Sequence, residues 1–66
     1  MEKAKAERRI VRLRAVRDRT GLSRSTIYKL EGAEQFPQRI SLGARAVGWY
    51  EDEVTAWVES RQRRQS

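Results

Sequence analysis

In the stretch Ser23-Arg24-Ser25-Thr26-Ile27-Tyr28-Lys29-Leu30, hydroxyl, guanidinium, phenol and ammonium groups surround two aliphatic positions. These groups donate hydrogen bonds to phosphate oxygens and base edges. Arg24 and Lys29 can donate to guanine O6 and N7 or to phosphates, while Ser23, Ser25, Thr26 and Tyr28 have the reach of backbone anchors. Ser23 also suits the cap of the helix that carries the others, and Thr26 can bond back within that helix. Tyr28 can equally pack its ring on the core. Downstream, Arg45 stands beside Gly43 in a glycine-bearing turn, and Arg39 precedes it on an extended run. Arg45 would reach a minor groove or a phosphate with Arg39 assisting; a solvated turn arginine is the alternative. The chain has no histidine and no cysteine, which excludes a Ser–His pair, a histidine base, thiolate metal sites and disulfides. No catalytic residue, no metal and no cofactor is therefore expected.

Size and composition point the same way. Sixty-six residues make one domain, and a chain this short buries only about 60% of its unfolded surface. With 38% hydrophobic residues and a mean hydropathy of -0.88, it has one small core and no room for an active-site cavity beside it. No apolar run approaches the roughly 20 residues of a membrane span, and no hydrophobic signal segment follows Met1. The expectation is a cytoplasmic, nucleoid-associated, non-enzymatic module with no membrane and no small-molecule substrate.

The net charge of +6 is unevenly distributed. Residues 1–9 carry +2, residues 10–49 carry +5 and residues 50–66 carry -1. The excess thus falls on the segment that holds the candidate contact residues, and a basic field of this kind concentrates a polyanion by counterion release.

The elements that position these groups follow from spacing and punctuation. Residues 1–9 have no apolar anchor and read as a flexible basic arm. Ile10-Val11 suits a short strand or extended entry. Leu13, Val16, Arg17 and Thr20 share one helical face, and Gly21 stops that helix in the left-handed region. Ser23 caps a second helix running to about Gly32-Ala33, with Ile27 and Leu30 inward and Ser25, Tyr28, Lys29 and Gly32 outward. Pro37 ends the helical region. Arg39-Ile40-Ser41-Leu42 and Ala46-Val47-Gly48-Trp49, joined through Gly43, read as a β-hairpin. Glu51, Asp52 and Glu53 open a last helix, where its dipole favours negative charge. Val54, Trp57, Val58 and Arg61 form that helix's packed face, with Trp57 expected as the main core anchor, and residues 61–66 form a frayed basic tail. The fold class is α+β, mostly helical: a small winged helix-turn-helix over residues 10–60. Val16, Gly21, Leu22, Ile27 and Leu30 stand where the two crossing helices interlock.

Beyond this local reading, the run from Arg12-Leu13 through Val16, then Arg19-Thr20-Gly21-Leu22-Ser23-Arg24-Ser25-Thr26-Ile27-Tyr28, Phe36-Pro37, Leu42-Gly43, Arg45-Ala46-Val47-Gly48-Trp49 and Glu53-Val54 to Trp57-Val58, resembles the AlpA family of small phage- and prophage-encoded regulators. The resemblance spans about residues 10–60 and implies an excisionase-like, MerR-like winged helix. It also implies sequence-specific binding of double-stranded DNA, as a transcriptional regulator of prophage genes or as an excisionase, a recombination directionality factor that bends attachment-site DNA. The sequence departs from the family at Tyr50, where proline is common, which would loosen the start of the last helix. It departs again at Gln38-Arg39, a more polar pair that would enlarge the DNA footprint. One such module covers a short site, so further copies on repeated sites are expected partners. The alternative class is a protein-binding module, such as an antirepressor using the basic face on an acidic partner. Single-strand binding is disfavoured, because Phe36, Trp49 and Trp57 fall at core positions rather than on a stacking platform.

Overall fold

Val16 sets the inner face of the first helix, and Gly21 sets its end. In a computed structural model that describes residues 8–61, helix α1 spans Leu13–Thr20 and Val16 is fully buried. Residues 1–7 of the expected arm and residues 62–66 of the expected tail lie outside the described residues. Gly21 adopts φ 75°, and its N–H donates to the Arg17 carbonyl at 2.8 Å. The Thr20 hydroxyl donates to the Val16 carbonyl and accepts from the Leu22 N–H, closing the turn from inside. Arg17, expected on the inward face, is exposed. The short helix buries one row of side chains, and a long cationic residue beside that row carries its head group to water.

Helix α2 spans Arg24–Gly32, with Ser23 as its cap: the Ser23 Oγ accepts from the Thr26 N–H at 3.2 Å. Ile27 is fully buried, and Leu22 and Leu30 pack against the same cluster. The exit from α2 closes with two reversed bonds, from the Gln35 N–H to the Leu30 carbonyl and from the Glu34 N–H to the Glu31 carbonyl. That pattern places a left-handed residue at Glu34, φ 60°, where glycine is the usual occupant. Glu34→Gly is therefore expected to stabilise the domain by about 1 kcal/mol and raise its melting temperature by several degrees. A melt unchanged or lowered by this substitution would show that Glu34 is not held in that conformation.

Three short strands form one antiparallel sheet: β1 (Ile10–Val11), β2 (Ile40–Ser41) and β3 (Val47–Tyr50), with β3 in the centre. Val11 pairs with Trp49 and Ile10 with Tyr50 on one side; Ile40 pairs with Gly48 and Ser41 with Val47 on the other. Alternation then sends Trp49 into the core and leaves Gly48 on the opposite face, under Ile10 and Leu42. β2, the turn and β3 are the wing.

Helix α3 spans Glu51–Ser60, with three acidic residues in its first turn. Tyr50 does not loosen its start. The Tyr50 backbone, at φ -74°, lies within the range a proline would fix, and the Glu51 N–H donates to the Arg9 carbonyl at 2.8 Å.

The core consists of Val16, Ile27, Phe36, Trp49 and Val54. Trp49, fully buried, is its largest member. Trp57 is the half-buried rim instead of the anchor: its ring meets Phe36 edge-on at 4.8 Å and its Nε1 donates to the Gln35 carbonyl. Arg61 likewise leaves the packed face and lies over the outer face of Trp57, 4.3 Å from the ring centroid. The helical spacing of Val54, Trp57 and Val58 is real, but α3 covers the sheet only along the Val54 line, so the next turn is half exposed.

Candidate nucleic-acid interface

The outward side of α2 carries Arg24, Ser25 and Lys29 exposed, with Tyr28 half buried at its edge. Ser23 and Thr26 are engaged in the cap: the Ser23 hydroxyl donates to the Thr26 Oγ1 at 3.0 Å and lies 3.4 Å from the Ser25 Oγ. Their geometry starts the helix and turns Arg24 outward. Tyr28 packs against the core, and its ring lies 5.5 Å from the Arg24 guanidinium and 5.0 Å from that of Arg39.

The wing closes with the Leu42 N–H donating to the Ala46 carbonyl at 2.7 Å, and the Ser41 hydroxyl donates to the Gly43 carbonyl. Arg45 projects from the exposed tip. Between α2 and the wing runs an open cleft of about 840 Å³, lined by Tyr28, Glu31, Arg39, Ser41 and Arg45 among others. Of the expected contact residues, the groove brings together Tyr28 of α2 with Arg39 and Arg45 of the wing; Ser25, Thr26 and Lys29 lie with Tyr28 around a second, smaller depression on α2, and Arg24 lines neither.

Electrostatics divides the cations into two groups. On the far side, Arg8 grips Asp52 through Nε at 3.0 Å and Nη2 at 2.7 Å, reaches Glu53 at 3.3 Å and stacks over Tyr50 at 3.7 Å. Arg9 and Arg19 pair with Glu51 at 3.5 Å, and Arg19 also donates to the Thr55 hydroxyl. The hydrogen bonds from Arg8 hold the Asp52 carboxyl below the ordinary aspartate range, so this latch is present above that range and is released as pH falls through the lowered value. Arg12, Arg14, Arg17, Arg24, Lys29 and Arg45 make no ion pair among the described residues. The acidic start of α3 thus takes up Arg8, Arg9 and, from α1, Arg19, and among the described residues leaves Arg14 and Arg17 of α1, Arg24 and Lys29 of α2 and Arg45 of the wing tip without an ion pair. Such a surface is suited to a polyanion.

Two participants escaped the sequence reading. Arg8 pairs with a residue forty-four positions away, and no local pattern points to it. Glu31 is buried at the edge of the cleft and holds Arg39 by two bonds of 2.7 Å. Its signal was present: Glu31 falls one turn after Ile27, so it is a carboxylate on the inward side of α2 that needs a cation. No helix among the described residues is long and apolar enough to cross a membrane.

The family model described as "Prophage CP4-57 regulatory protein (AlpA)" matches residues 9–62. An uncharacterized protein of Enterobacteria phage P4, ORF88, is 46% identical over 55 residues, covering 83% of this chain. This chain spans 62% of that phage protein's length, which is less than two thirds. The DNA-binding transcriptional activator AlpA of Escherichia coli (strain K12) is 39% identical over 59 residues, covering 80% of this chain and 84% of its own. The family match runs through both helices, the wing and α3, and on that ground the chain belongs to the AlpA family of prophage regulatory proteins.

Proposed function

We propose that the chain is a phage- or prophage-type regulator that binds double-stranded DNA. Helix α2 enters a major groove and the turn over residues 42–46 lies on the adjacent minor groove. The observation that carries this reading is the charge pattern: Arg24 and Lys29 on α2 and Arg45 on the wing make no ion pair among the described residues, while Glu51, Asp52 and Glu53 at the start of α3 are taken up by Arg8, Arg9 and Arg19. In this docking Arg24 and Lys29 read base edges or phosphates, Ser25 and Tyr28 anchor the backbone, Ser23 and Thr26 set the helix start, and Arg39 and Arg45 hold the strand beside the wing. The E. coli relative is named a DNA-binding transcriptional activator, which favours transcription regulation; an excisionase would use the same contacts. Further copies on repeated sites would supply the affinity that one short footprint lacks.

The test is a salt titration of binding to a mixed-sequence duplex and to a site selected from a random pool. Arg24→Ala is expected to lose roughly 1–3 kcal/mol on the selected site and flatten its preference at one base pair. Arg45→Ala is expected to weaken both duplexes alike and lower the log–log salt slope by about 1. Unchanged binding in both variants would remove this docking. A parent protein that ignores duplex at low salt but captures an acidic protein would replace it with the antirepressor class.

A further inference from the structure

Glu31 is the one charged side chain that is buried among the described residues, 6% exposed. Its burial has a purpose in geometry. Oε2 accepts from the Arg39 backbone N–H and Oε1 from the Arg39 Nη1, each at 2.7 Å, while the Gln38 side-chain amide donates to the Glu31 carbonyl at 3.0 Å. One carboxylate thus ties both the backbone and the head group of Arg39 to the end of α2. The Tyr28 ring supports the guanidinium from 5.0 Å. Arg39 remains 46% exposed and lines the cleft, and its Nε and Nη2 have no acceptor among the described residues.

A carboxylate beside a polyanion is unfavourable on its own. It is tolerated where it is neutralised and where it fixes a cation whose disorder would otherwise be lost on binding. We infer that Arg39 is a phosphate clamp for the strand that passes between α2 and the wing, and that Glu31 is the positioning residue that aims it. The inference rests on the DNA reading above, in which Arg39 already meets the strand, and adds to it the buried residue of opposite charge that aims Arg39. The planar guanidinium suits this division of labour, since one nitrogen can stay on the carboxylate while the others donate to phosphate oxygens.

The experiment measures anisotropy of a labelled mixed-sequence duplex over a salt series, at a temperature where melts show every variant folded. Arg39→Ala should weaken binding about tenfold and lower the salt slope by about 0.9. Glu31→Gln keeps the shape and adds one unit of net positive charge, yet it should weaken binding severalfold. In the Arg39→Ala background the same change should weaken it no further. If Glu31 is only a like charge near DNA, Glu31→Gln will bind more tightly in both backgrounds, and the positioning role is gone. Arg39→Lys supplies a test that leaves Glu31 in place: the charge is kept, so the slope should hold while affinity falls. Parent-like affinity in Arg39→Lys overturns the clamp's dependence on orientation. An unchanged slope in Arg39→Ala overturns the clamp alone, because the parent still binds duplex; a parent with no salt-dependent binding overturns the DNA reading and the clamp together.

Discussion

Trp49→Ala is expected to leave the chain largely unfolded at room temperature. Trp49 is fully buried, pairs with β1 through Val11, and packs in one cluster with Val16 of α1, Ile27 of α2 and Val54 of α3. Truncating such a residue costs on the order of 3–5 kcal/mol, from lost transfer energy and the cavity left behind. A domain this small holds about 5 kcal/mol or less in total. Trp57→Ala should be milder, about 2 kcal/mol, because the ring is only partly buried and the Arg61 head group, not the core, lies over one face of it. Far-ultraviolet thermal melts of the two variants give the comparison. A cooperative Trp49→Ala melt near the parent midpoint, or a larger loss at Trp57, would contradict the core described here.

The contrast between the two tryptophans shows where sequence reading was strong and where it stopped. Gly21, Ser23 and the Gly43 turn act within a few residues of themselves, so the helix stop, the cap and the hairpin were legible from local chemistry. The outer face of α2 followed from its periodicity, and with it the residues now proposed to touch DNA. Which tryptophan anchors the core depends on how far α3 extends across the sheet, a tertiary matter that the spacing of Val54, Trp57 and Val58 does not contain. The left-handed exit falls at Glu34, two residues past Gly32, because the Leu30 and Glu31 carbonyls choose the closing bonds. Charge pairing was the least legible part. A count of lysines and arginines treats Arg8, Arg19 and Arg45 alike, yet folding pairs the first two with α3 and leaves the third unpaired among the described residues.

Gly48→Ala is expected to destabilise the domain by roughly 1–3 kcal/mol, the usual penalty for overpacking. A Cβ built there would sit 2.7 Å from the Ile10 Cγ2, 3.0 Å from the Leu42 Cδ1 and 3.0 Å from the Val11 carbonyl oxygen. The first two are side-chain atoms on a face where Ile10 and Leu42 are each 41% exposed, so they can give way. The third is backbone of β1 and cannot move without lifting that strand off β3. Ile10→Ala in the Gly48→Ala background should therefore recover part of the loss and not all of it, a non-additivity of the kind that contacting residues show. Urea titrations of the two single variants and the double variant measure that coupling. Full recovery would put the whole conflict on Ile10, and no loss in Gly48→Ala would mean that β1 does not lie beside β3 at this distance. β3 also forms one side of the wing and ends at the Tyr50 cap of α3. The absence of a side chain at residue 48 thus lets one strand hold the entry to α1, the wing that carries Arg45 and the acidic helix in a single fixed relation.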